Sequence, residues 1–226
     1  MRSLLTFIVC LICANIQGQP QTSKLPAGFT YVKDIIPNIE VDLRYCNHYN
    51  FVGVPVDGYL EPKLILTRRA TQALLKVQQE LNKSGLGLKV YDGYRPQTAV
   101  NHFKRWARAV NDTLTKSIFY PSIDKRILFK SGYIASRSGH SRGSTVDLSI
   151  IDLATGKEID MGGPFDFFGE KSGHSFKGLS PTQKKNRSLL KSILKKYGFN
   201  AYDKEWWHYT LADEPFPNTY FDFPVQ

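Results

Sequence analysis

Apolar positions recur at helical spacing in three stretches of this chain and at strand spacing in three others. Ala70, Leu74, Val77 and Leu81 share one helical face, which predicts a helix over 67–84, capped by Thr67 and ended by Gly85. Val100, Phe103, Ala107 and Val110 predict a second helix over 97–111. A third, over 180–197, has Ser180 as its cap, Pro181 in the first position and Gly198 as its stop. Its apolar stripe is Leu189, Leu190, Ile193, Leu194 and Tyr197. Leu86, Leu88 and Val90 alternate as a strand over 86–91. Residues 146–151 read as a buried strand and 206–211 as a final one, while Asp92-Gly-Tyr-Arg-Pro96 is a turn. Regular alternation of strand and helix is absent, as is any internal repeat. The expected fold is one α+β domain, a mainly antiparallel sheet flanked by helices.

Residues 1–18 differ in kind. Arg2 is followed by an apolar run from Leu4 to Ala14, broken only by Thr6, and then by Asn15, Gln17 and Gly18. This pattern is that of a secretory signal peptide, too short for a standard membrane span. The expectation is an exported protein, periplasmic or secreted, whose mature domain is 19–226 and carries no membrane span. Cleavage falls near Gly18, with Ala14 the alternative. The mature chain then keeps Cys46 as its single cysteine, so no internal disulfide can hold it. Cys46 reads as a small buried filler rather than an activated nucleophile.

The chain has 226 residues, 42% of them hydrophobic, enough for one sizeable core. Its formal net charge of +10 suits an anionic environment. The lysines are scattered over helix faces (Lys184, Lys185, Lys191, Lys195, Lys196), and no zinc-finger or RNA-recognition motif is present, so nucleic acid is not the expected partner. Oligomeric state is not legible.

Two distant segments carry the chemistry. One is Ser138-Gly-His140-Ser-Arg-Gly143-Ser-Thr-Val-Asp147 and the other Glu205-Trp-Trp-His208. His140 and Asp147 are seven apart, which on a regular strand would place them on opposite faces; Gly143 implies a loop that removes the objection. An aspartate inside an apolar run is costly to bury alone, and a metal would offset that cost. Asp147 could instead be a structural acid paired to Arg142 or to backbone donors. His208 among Trp206, Trp207 and Tyr209 could by itself be a core residue. Two imidazoles and a carboxylate with an open fourth position are what catalytic zinc uses, and a further carboxylate can take a proton from water. Asp147 is short and fixed, which suits a ligand; Glu205 is longer, which suits the base; the reverse assignment is the alternative. Arg95, in the turn, could face a developing oxyanion or simply pair with Asp92. His102 reads as structural, and His174 as a loop residue or a group supporting the site.

These residues resemble the zinc D-alanyl-D-alanine dipeptidases of the VanX type, within a wider group that includes D,D- and L,D-carboxypeptidases and the hedgehog signalling domain. The likeness runs from about Phe29 to about Phe223 and includes Asp42-Leu-Arg-Tyr45 and Asp160-Met-Gly-Gly-Pro-Phe-Asp166-Phe-Phe. The resemblance implies one zinc per chain held by His140, Asp147 and His208, Glu205 as base and Arg95 as transition-state stabiliser. It implies that Ser138 and Tyr45 line the pocket and that Asp166 meets the ammonium of a small dipeptide, D-Ala-D-Ala, a peptidoglycan building block. Thr145 stands where the family more often has alanine. The alternatives are a carboxypeptidase or endopeptidase acting on longer wall peptides, or a binding module that keeps zinc for structure. Export would favour wall turnover or salvage over cytoplasmic depletion of the dipeptide.

Overall fold

The structure, a computed structural model, describes residues 25–226, so the signal-peptide reading of 1–18 lies outside the described residues. The strands are β1 (Phe29–Tyr31), β2 (Glu40–Val41), β3 (Ile65–Thr67), β4 (Leu86–Asp92), β5 (Thr145–Asp152), β6 (Phe199–Ala201) and β7 (His208–Leu211). The helices are α1 (Arg68–Asn82), α2 (Gln97–Arg108), the short α3 (Lys116–Phe119) and α4 (Pro181–Lys196). Five strands form the main sheet in the order β2-β4-β5-β7-β6, antiparallel except for the parallel β2–β4 pair. β1 and β3 form a separate antiparallel ribbon. Helix α1 packs on β4, and α4 packs on β6 and α1. This is the expected α+β architecture. Among the described residues no helix is long and apolar enough to cross a membrane.

Local chemistry explains the element ends. Thr67 Oγ1 accepts from Ala70 N–H and starts α1. Ser180 and Gln183 form a reciprocal capping box at α4, worth about 1 kcal/mol or more. Helix α2 ends at Arg108, three residues short of the expected Asn111, and Val110 is exposed rather than on the packed face. The cause is distant: Lys125 Nζ donates to the carbonyls of Ala109 and Asp112, holding the chain out of the helix. Cys46 is half-buried, and burial pushes its thiol up to about 12, so it is no activated nucleophile.

The centre of the core is β5. Val146, Leu148 and Ile150 are fully buried, and Leu88 and Val90 oppose them from β4. The register shifts between Val90 and Asp92, so Asp92 pairs with Asp147, which in turn pairs with His208 on β7. Paired residues share a face of a sheet, so this bulge brings three polar side chains into one row across three strands.

Candidate active site

His140 sits in a tight turn, Gly139–Arg142, ahead of β5. Ser138 Oγ accepts from His140 N–H to start the turn, and Gly143 ends it at φ 82°. A side chain on Gly143 would collide with the Phe29 ring, so only glycine reverses the chain here. The reversal aims His140 back at Asp147. Glu205 lies in the turn before β7, and its backbone carbonyl accepts from His208 N–H. That bend puts Glu205 and His208, three apart, on the same side.

The three expected ligands converge. His140 Nε2 is 3.3 Å from His208 Nδ1 and 3.3 Å from Asp147 Oδ2, and His208 Nδ1 is 3.0 Å from Asp147 Oδ1. Two ligand atoms at about 2.05 Å from a tetrahedral zinc are about 3.3 Å apart, so the observed spacings fit such an ion. His140 Nδ1 donates to the Gly93 carbonyl at 2.7 Å, which leaves Nε2 as a free lone pair. Asp147 Oδ1 is a buried acceptor without a hydrogen-bond donor. The donor set and this orphaned oxygen both suit a divalent cation, and His140, Asp147 and His208 are the residues that would hold it. Burial pushes the Asp147 carboxyl up, but His140 and His208 beside it outweigh that and hold it well below the usual range. For His140 burial dominates and lowers its basicity; for His208 burial is outweighed by Asp147, which raises it.

Asp92 is the residue that sequence reasoning undervalued. It is fully buried and accepts from Tyr59 Oη at 2.7 Å and from Arg95 Nε at 2.9 Å. Its Oδ2 also lies 3.5 Å from His140 Nδ1. Arg95 makes the pairing with Asp92 considered for it, and it also lines the cavity. It pairs with Asp92, and its Nη2 reaches within 3.5 Å of Asp147 while Nη1 reaches Ser138 Oγ at 3.5 Å. The rings of Tyr45 and Phe103 lie under its guanidinium at 5.1 and 5.2 Å.

A cavity of about 200 Å³ opens onto this cluster. Arg95, Ser138, Tyr45, Asp166 and Glu205 all line it, together with Asp147 and His208. Asp166 is buried, stands at φ 60°, and accepts from Tyr45 Oη at 2.9 Å. Burial, with help from Asp147, raises its carboxyl well above the usual range. Burial also lifts Glu205 to about 7; its Oε2 is 3.5 Å from His208 Nδ1. Thr145 shares the sheet face of Asp147 but does not line the cavity, and its hydroxyl bonds to Thr210 on β7 at 2.9 Å. Arg142 pairs with Glu214, not with Asp147.

Arg187 was also missed. It is buried on α4, and its guanidinium donates to the carbonyls of Met161, Lys171 and Gly173 at 2.6–2.7 Å. These carbonyls bracket the segment that carries Asp166. Ser172 O in the same segment accepts from Trp206 N–H, tying it to the Glu205 turn. The other histidines lie elsewhere. His102 Nδ1 accepts from Asp57 N–H, a structural role as expected; His48 bonds to the Gly53 carbonyl; and His174 packs on Tyr209, outside the cavity.

The family model described as D-ala-D-ala dipeptidase, peptidase M15, matches residues 26–226. A D-alanyl-D-alanine dipeptidase of Enterococcus faecium is 45% identical over 199 residues, covering 88% of this chain and 98% of its own. One of Streptomyces coelicolor is 44% identical over 201 residues, 89% of this chain and all of its own. One of Escherichia coli is 30% identical over 177 residues, 78% and 81%. With a metal-ready His/Asp/His cluster beneath a small cavity, and with likeness to these enzymes along nearly all of the described residues, the chain belongs to the D-ala-D-ala dipeptidase family of peptidases.

Proposed function

We propose that this protein hydrolyses D-alanyl-D-alanine at one zinc ion per chain, held by His140, Asp147 and His208. The observation that carries the reading is the convergence of those three side chains beside a further carboxylate, Glu205, at the wall of a cavity of about 200 Å³. Bound zinc supplies Lewis acidity, polarising a carbonyl and bringing the pKa of water to about 7. The remaining work falls to the chain. Glu205, lifted to about 7, is matched to removing a proton from water near neutrality and returning it to the leaving amine. Arg95 keeps its charge, tethered by Asp92, and supports negative charge growing on the carbonyl oxygen.

Substrate size follows from the same wall. Asp166 and Tyr45 form an acceptor pair suited to a free ammonium group, which in its bound state would hold Asp166 ionised. An acid buried there leaves no passage for a chain extended at its amino end, which supports a dipeptidase over an endopeptidase. The signal-like residues 1–18, with Arg2 ahead of an apolar run, support export and a role in wall turnover or salvage. Turnover of D-Ala-D-Ala, L-Ala-L-Ala and a wall pentapeptide by the zinc-loaded protein tests the reading. Preference for the pentapeptide would replace it with the carboxypeptidase alternative.

A further inference from the structure

A dipeptide is charged at both ends, and the Asp166–Tyr45 pair answers only the cation. Two arginines line the cavity, Arg95 and Arg137. Arg95 is committed: its guanidinium bonds to Asp92 and reaches toward Asp147, both buried acids. Arg137 is placed differently. It is exposed at the rim, one residue before Ser138, and among the described residues it forms no ion pair. Its guanidinium carbon rests 5.1 Å above the ring of Tyr220. The same ring lies 5.8 Å from Arg142, whose charge is answered by Glu214 at 2.8 Å. So of the two arginines at Tyr220, only Arg137 keeps an unanswered charge, and it is the one that lines the cavity.

We propose that Arg137 is the receptor for the carboxylate at the C-terminal end of the substrate. The inference rests on the dipeptidase reading and deepens it. A guanidinium matches a carboxylate with two parallel hydrogen bonds, which a point charge cannot reproduce. The Tyr220 ring stacks beneath the group and restricts its rotamers before substrate arrives, which lowers the entropy lost on binding. Arg137 then sets specificity by demanding a free terminal carboxylate at a fixed distance from the cleaved bond. It touches no reacting atom, so its effect falls on KM more than on kcat.

The test compares D-Ala-D-Ala with its C-terminal amide, using the zinc-loaded parent, Arg137→Ala and Arg137→Lys. The parent prefers the free acid. Arg137→Ala raises KM for the acid roughly tenfold, loses far less on the amide, and so erases the preference. Arg137→Lys restores part of it. Arg137 is exposed, so neither change threatens the core. Equal losses on acid and amide, or none on the acid, overturn the role of Arg137 while the dipeptidase reading stands. A parent that cleaves neither substrate removes both.

Discussion

Asp147 and His208 are directly opposite each other on β5 and β7, with Asp147 Oδ1 3.0 Å from His208 Nδ1. Two of the three side chains proposed to hold the metal are thus placed by sheet register alone. A slip of one residue would turn one of them to the other face, so the pairing that builds the core also builds the site.

The metal should therefore depend on both strands. His208→Ala is expected to lose bound zinc and turnover together. In the parent, a chelator should abolish activity and added zinc should restore it. Zinc should also raise the melting temperature, because it binds the folded state. Metal analysis and thermal melts check this; an active, chelator-resistant protein sinks the assignment.

Glu205→Gln should behave differently. It should keep zinc and lose turnover by about 10²–10⁴-fold, the usual worth of a general base. A variant with parental activity would hand the proton transfer to another group.

The raised Glu205 carboxyl also sets a sign. The base must be ionised, so kcat/KM should fall as pH drops through about 7, or somewhat lower once a bound cation favours the ionised form. Stability runs the other way. A carboxyl raised in the fold contributes most below its unfolded value and loses that contribution as pH rises through about 7. Metal-free Glu205→Gln should therefore gain stability over the parent at pH 8 but not at pH 4. A pH series of activity and of denaturant midpoints reads both.

At the ammonium end, acetylating the substrate amine should abolish cleavage, and Asp166→Asn should raise KM for the free dipeptide. Efficient turnover of the acetylated form would falsify the closed end of the cavity.

Arg187→Met should cost on the order of 3 kcal/mol, because three carbonyls lose their donor and unmet buried groups cost about 1–3 kcal/mol each. The loss should appear in chemical denaturation, with KM rising as the Asp166 segment loosens. A variant as stable as the parent would show that water replaces the guanidinium.

Much of this site is legible in the chain, and its omissions have causes. Gly143 signals the loop that brings His140 to Asp147, and the short spacing of Glu205 and His208 signals a bend. Asp92 reads as a turn residue, yet it ends β4, and only the bulge at Tyr91 turns it toward Asp147. That shift depends on a partner strand more than fifty residues away. Arg187 is masked by its charge. It shares the buried stripe with Leu190 and Leu194, while Leu189, assigned to that stripe by its apolarity, is 37% exposed. The parallel β2–β4 pair leaves no signal because β2 is two residues long.

The final residues reach back over the site's supports. Phe221 N–H donates to Ser141 O, Phe221 O accepts from Gln97 N–H, and Tyr94 Oη donates to Phe223 O. The histidine turn and the arginine turn are thus both clasped by the same closing segment. Truncation at residue 215 would keep every proposed ligand in the chain while removing the three hydrogen bonds by which this segment holds both turns.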